Sequence, residues 1–312
     1  MDVDLIDRLK GAASSNKPKR PIPGFYEVST PMMNSFDRRY AIALMLPACV
    51  LLLVFFFYPL AVVAWQSVYS DGFSWNAYRS LFATDLFLRV LSTTAWIAFI
   101  ATLVSVVVGY CMAAMIARSS GRKRIALVTC VMLPLWTSVL VKSFALTVVL
   151  GDNGVINRFL SFAFGDAARI PMMFNRAGVV IGMVNYLLPF AVFPILASLL
   201  GIDPLLKRVA ELMDAGPVRI FLKITLPLSL PGVFAAALMT MTLAMGMFVT
   251  PALLGGRKDL MMANLVDLYT RQILDWQGAS AIAMILLVAS LVLILFLLKV
   301  QKDEALQQET IR

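Results

Sequence analysis

Six stretches of the 312-residue chain, at 41–65, 91–117, 125–150, 178–201, 230–254 and 278–298, are apolar almost without interruption. Each reaches about 20 residues, the length that carries an α-helix across a hydrocarbon layer roughly 30 Å thick. Lipid offers no partner to backbone N–H and C=O groups, so each stretch has to satisfy them internally, as a helix. The pattern predicts an all-α, polytopic membrane protein with six transmembrane helices. The first stretch follows a polar arm containing "KPKRPIPG" and "FDRRY", too deep and too long for the core of a cleaved signal peptide, and is read as a retained span. The chain then divides into an arm (1–40), a six-helix domain (41–300) containing a long polar loop at 202–229, and a tail (301–312). Within the arm, Leu5, Ile6 and Leu9 share one face of a possible short surface helix over Val3 to Leu9, the alternative being a solvated tail.

A different period appears in the loop, "GIDPLLKRVAELMDAGPVRIFLKITLPLSLPG". Asp203 is placed to cap a helix whose first position is Pro204, and Leu205, Leu206, Val209, Leu212 and Met213 fall on one face of it. Gly216 and Pro217 stop that helix and start a second, on which Val218, Phe221, Leu222 and Thr225 repeat the face and Arg219 and Lys223 stand one turn apart. Pro227 and Pro231 are expected to break the second helix before the fifth span. Two short amphipathic helices at an angle make a knob, suited either to lie on lipid headgroups or to enter a groove in another protein.

Composition narrows the chemistry. Hydrophobic residues make up 60% of the chain and charged residues 14%, which excludes an ordinary soluble enzyme. There is no histidine, and Cys49, Cys111 and Cys130 all lie in apolar runs, so His-based acid–base catalysis, His/Cys metal sites and a disulfide framework lack their raw material. The net charge of +9 is not gathered into a nucleic-acid-binding stripe. It follows topology instead. The arm, Arg118–Arg124, the 202–229 loop and the tail carry eighteen Lys and Arg, against eight in the opposite loops, and the acids leave these sides at +7 and +1. Positive residues stay inside, which puts both termini in the cytoplasm.

The end of the loop, Ile224, Leu226 and Pro227, matches the signature of binding-protein-dependent ABC importer permeases, which runs Glu-Ala-Ala, three residues, Gly, nine residues, Ile, any residue, Leu-Pro. Counting back puts Arg208 on the Glu, Val209 and Ala210 on the two Ala, and Asp214 on the Gly, so the front half departs from the pattern while the break at Ala215, Gly216 and Pro217 survives. "PLWTSVLVKSFAL", "LGDNGVINRFL", "FNRAGVVIGMVNYLLPFAVFPILASL" and "FVTPALLGG" followed by "DLMMANLV" resemble the spermidine/putrescine-type branch and cover most of 40–300. The resemblance implies a type I importer permease in a bacterial inner membrane, paired with a second homologous permease subunit. It further implies a cytoplasmic ABC ATPase dimer and a periplasmic solute-binding protein as partners, with membrane lipid around them and no nucleic acid.

No Gly-x-x-x-x-Gly-Lys-Ser/Thr loop is present in this chain, so ATP and Mg belong to the partner ATPase and no cofactor is expected here. By the same resemblance the loop couples to that ATPase through Leu205, Leu206, Val209, Leu212, Met213 and Phe221, with Arg208 and Arg219 at the rim and Ala210, Asp214, Ala215 and Gly216 shaping the turn. For the solute path the sequence offers Lys142, the only charged residue in the six stretches, together with Trp136, Asn185 and Tyr186. Snorkelling of Lys142 and simple helix packing by the others are the alternatives. A polyamine is the cargo the resemblance implies, yet no Asp or Glu lies in any span, so a zwitterion or an anion stays open, with Asp152, Asp166 and Asp267 of the outer loops as candidate ligands for a cation. A self-sufficient secondary transporter or channel is the competing class. It is opposed by the lack of a visible inverted repeat and of an intramembrane carboxylate.

Overall fold

The structure, a computed structural model, describes residues 38–69, 72–165 and 169–310. The proposed arm helix over Val3 to Leu9 and the candidate ligand Asp166 lie outside the described residues. Two compact units follow one another along the chain, Met1–Tyr58 and Pro59–Arg312. In the first, helix α1 (Arg38–Leu52) runs into a widened π turn, Leu53–Phe57. In the second, helices follow in the order α2 (Tyr58–Val68), α3 (Asn76–Phe82), α4 (Asp85–Arg118), α5 (Gly121–Trp136), α6 (Val139–Leu150), α7 (Val155–Phe164) and α8 (Arg176–Leu200). They continue with α9 (Pro204–Leu212), α10 (Pro217–Ile220), α11 (Leu226–Met245), α12 (Val249–Leu254), α13 (Met262–Leu268) and α14 (Trp276–Thr310). No strand occurs among the described residues. Six helical segments are long and apolar enough to cross a membrane: Met45–Val68, Asp85–Arg118, Val139–Phe164, Arg176–Leu200, Pro217–Met245 and Trp276–Phe296.

Two of the six differ from the sequence expectation, both because of proline. The apolar run at 125–150 is not one helix but two, α5 and α6, parted at Thr137 and Ser138, whose backbones are extended. Pro134 stands inside the last turn of α5, where its missing N–H and its ring weaken the continuation of the helix. At the knob the outcome is the reverse: Pro227 and Pro231 do not break the second helix, which runs from Pro217 into the fifth span and ends at Gly246, with α12 a separate short helix. A proline ring clashes with the carbonyl four residues earlier. For Pro227 that is Lys223, at the middle of a π turn over Phe221–Thr225, where Leu226 N–H bonds to Phe221 O and the turn is widened. The same device precedes Pro59, whose clashing carbonyl belongs to Phe55 in the Leu53–Phe57 π turn. At these two prolines the clash is relieved by one extra residue in the preceding turn, whereas Pro189 and Pro194 lie inside α8 with no π turn before them.

At the centre of the larger unit, α8 packs against α4 and α11, and α4 against α11. Small residues set these distances. A side chain at Gly109 on α4 would meet Ala191 Cβ of α8 at 2.8 Å, and one at Gly232 on α11 would meet Ser198 Cβ at 2.5 Å and the Pro194 carbonyl at 2.7 Å. Close backbone approach replaces the hydrophobic drive that lipid does not supply. Gly178 and Gly182, one turn apart on α8, do serve such contact: a Cβ at Gly182 would lie 2.5 Å from both Leu254 and Thr250 of α12, and one at Gly178 would strike the Met172 carbonyl. Polar side chains add fixed points, among them Tyr110 to Ser229 between α4 and α11 (3.0 Å) and Met262 N–H to Thr94 Oγ1 (2.9 Å).

The basic asymmetry assigns Arg122, in the first turn of α5, to the cytoplasm and Asn153, between α6 and α7, to the opposite side; both side chains are exposed. In a chain whose three native cysteines are replaced, Arg122→Cys is expected to be shielded from an impermeant thiol reagent in intact cells and Asn153→Cys to react. Equal labelling of the two would overturn the orientation.

Candidate functional site

Two regions gather the residues singled out above: the loop joining α8 to α11, and the break between α5 and α6. In the loop, Asp203 Oδ1 accepts the Leu205 N–H at 2.8 Å and Pro204 opens α9, so one orphan donor of the first turn is satisfied locally. The helix closes through a paired motif in which Ala215 N–H bonds to Ala210 O and Asp214 N–H to Glu211 O, both at 3.1 Å. Asp214 itself sits at φ 57°, in the left-handed region. This is the position the family signature gives to Gly, and Asp is among the few other residues that tolerate it.

Leu205, Leu206, Val209, Leu212 and Met213 are all exposed, Leu212 at 87% and Met213 at 79%, as are Arg208, Asp214, Gly216 and Arg219. Val218 and Leu222, on the second helix, extend the apolar surface. Phe221 does not belong to it. Its ring packs edge-on to Tyr110 of α4, with centroids 5.9 Å apart, and it is half-buried with Ala210 and Ala215. The i, i+3 spacing from Val218 puts Phe221 on the docking face, whereas in the structure its ring is turned to Tyr110 and away from the exposed apolar surface.

At the second region, the carbonyl of Pro134 accepts the Lys142 ammonium at 2.8 Å and the Thr137 hydroxyl at 3.0 Å. The parted helix leaves carbonyls unpaired at the end of α5, where the helix dipole is negative, and a cation one turn into α6 supplies both a donor and the opposite charge. The same ammonium lies 5.2 Å from the centroid of the Tyr186 ring. Lys142 and Asn185 share an open cavity of about 360 Å³ with Leu133, Pro134, Thr137 and Leu146. Three of the four candidate path residues, Lys142, Asn185 and Tyr186, are thus brought together across α6 and α8. Trp136 is not among them, since it lines no part of this cavity and is 78% exposed. Replacing Lys142 by Met is expected to leave the Pro134 carbonyl with the Thr137 hydroxyl alone and to slow solute uptake about tenfold or more, in keeping with roughly 1.5–3 kcal/mol for a hydrogen bond to a charged group. Lys142→Arg should retain most of the uptake, and equal rates for wild type and Lys142→Met would remove this role.

One feature was invisible in the sequence. Asp259, buried at 5% exposure, accepts Arg176 Nε at 3.1 Å and Gly256 N–H at 3.2 Å, and Asn264 Nδ2 donates to Phe248 O at 3.0 Å, so the segment after α12 is tied to the start of α8. The partners are distant in sequence and no spacing betrays them. Asp267, considered above as a ligand for a cation, is instead paired with Arg271 one turn on, at 2.6 Å, while Asp152 is exposed. Among the described residues no three His, Cys, Asp or Glu side chains converge as a metal site would require.

Known proteins are similar to this chain in sequence and in fold. Residues 105–303 match the family described as "Binding-protein-dependent transport system inner membrane component". The spermidine/putrescine transport system permease protein PotB of Escherichia coli is 33% identical over 212 residues, covering 68% of this chain and 77% of that protein. The molybdenum transport system permease protein ModB of Mycobacterium bovis is 29% identical over 224 residues, covering 71% and 82%. In fold, a bacterial ABC transporter involved in the import of the acidic polysaccharide alginate superposes with a TM-score of 0.74 at 20% identity, over 85% of this chain and 96% of that one. A match over most of the spans and six apolar helical crossings agree, and the chain belongs to the binding-protein-dependent transport system inner membrane component family, as a multi-pass permease subunit of an ABC importer in a bacterial inner membrane.

Proposed function

We propose that this permease subunit forms half of the translocation path for a polyamine or a closely related amine, with a second permease as the other half. ATP hydrolysis on a separate ATPase dimer drives the cycle, and a periplasmic solute-binding protein delivers the cargo. The observation that carries the cargo assignment is the identity to the spermidine/putrescine permease, which spans most of both chains. Carboxylates for the amine come from the binding protein and the partner permease, because the charge within this chain's six apolar stretches is the Lys142 ammonium, already turned to a carbonyl and a ring face. The exposed α9 face is the contact with the ATPase: five large apolar side chains in a polar loop need a surface to bury against. Nucleotide-driven closure of the ATPase moves α9, and the unbroken helix from Pro217 to Met245 carries that movement into the fifth span. Uptake of labelled putrescine and spermidine by cells with and without this chain tests the cargo. Uptake that depends on the chain and is competed by unlabelled polyamine supports it; chain-dependent uptake competed by an anionic or zwitterionic solute and not by polyamine would refute it.

A further inference from the structure

Between the knob and the bundle lies a cavity of about 650 Å³, enclosed by the ends of α4 and α8, the start of α5, α9 and α10. Its charged lining is Arg118, Arg124, Lys207 and Glu211, three cations against one anion. Arg124 is committed in part, donating from Nε to Ser119 O at 2.8 Å and from a terminal nitrogen to Ala117 O at 3.1 Å. Arg118 and Lys207 have no hydrogen bond or ion pair among the described residues, although Glu211 stands one turn from Lys207 on α9. Uncompensated cations facing a shared cavity define an anion site. The rest of the wall is apolar, including Leu199, Leu200, Ile202, Ile220 and Phe221.

We infer that this cavity holds a phosphate group, and that its source is an anionic phospholipid, seated with the headgroup between Arg118 and Lys207 and the glycerol and upper acyl carbons against the apolar wall. A phosphate needs the cations alone; only an amphiphile also fills the apolar half. Arg118 and Leu200 end spanning helices, so the cavity opens at the depth where lipid phosphates lie. A lipid there bridges a spanning helix to α9 and braces the knob from behind, leaving its exposed apolar face free. The inference concerns lipid rather than cargo and stands whichever solute is carried.

The test uses the assembled importer, purified and delipidated, with bound lipid counted by native mass spectrometry. Wild type is expected to retain one phosphatidylglycerol per copy of this chain in preference to phosphatidylcholine. The Arg118→Gln, Lys207→Gln double variant should bind it about tenfold more weakly or less, and Arg118→Lys close to normally. Intact complex mass in the same spectra shows that the variants are assembled. No retained lipid, equal retention by wild type and the double variant, or no preference over phosphatidylcholine would overturn the inference. Inorganic phosphate is added in a second arm: failure to displace the lipid supports the lipid source, and displacement at equal concentration would assign the site to a soluble phosphate and overturn that source.

Discussion

A Met213→Asp subunit is expected to insert all its spans and yet to separate from its ATPase during purification, with uptake abolished. Met213 is 79% exposed and caps α9 beside Leu212, at the most prominent point of the apolar face. Loss of a central anchor in such a contact costs about 2–4 kcal/mol, and burying an unpaired carboxylate in its place adds several more. At 1.4 kcal/mol per factor of ten, even about 4 kcal/mol of this loss weakens association roughly a thousandfold. Met213→Leu, which keeps volume and polarity, should cost less than about 1.5 kcal/mol and copurify normally. Insertion should be unaffected because the residue lies outside every segment long and apolar enough to span. Normal recovery of ATPase with Met213→Asp, together with normal uptake, would show that the face is turned to solvent or lipid and would withdraw the docking role.

The parts of this molecule that the sequence made readable are those governed by local pattern. Apolar length located the six crossings, and Asp203 with Pro204 marked the start of α9 to the residue, because a cap is satisfied within three positions of itself. Proline was the point of failure in both directions. It parts α5 from α6 after Pro134 and leaves the helix through Pro227 and Pro231 unbroken. A π turn precedes Pro227 and none precedes Pro134, yet Pro189 and Pro194 are carried inside α8 without one, so the letters beside a proline do not decide whether its helix breaks. The turning of Phe221 to Tyr110 depends on a helix more than a hundred positions earlier, which no local spacing records. Lys142 was identifiable as an anomaly, but its partners Pro134 and Tyr186 come from a helix end and a neighbouring helix. The Arg176–Asp259 pair, 83 positions apart, left no trace at all.

Helix contacts made by glycine depend on the neighbouring helix, and nothing beside Pro231 marks Gly232 as one of them. Gly232→Leu is nevertheless expected to be among the most damaging single substitutions in the spans. It is fully covered where α11 crosses α8, and a Cβ there would lie 2.5 Å from Ser198 Cβ, 2.7 Å from the Pro194 carbonyl and 3.2 Å from Ile195 Cα. Two of these three atoms are backbone, so no rotamer change relieves the clash and the helices must move apart. Separation would also strip contacts from the buried side chains that α8 and α11 share nearby, Ile195, Leu199 and Ala236. Overpacking alone costs about 1–3 kcal/mol, and opening a helix pair whose association rests on close fit takes more, against a total stability of roughly 5–15 kcal/mol. The measurement is thermal stability of the detergent-extracted subunit by size exclusion, with Gly246→Ala as control, since a side chain at Gly246 meets nothing within 4 Å. Gly232→Leu should lose most of its monodisperse peak at temperatures where the control is unchanged; a profile matching wild type would mean that α8 and α11 do not approach as closely as the backbone contact at Pro194 requires.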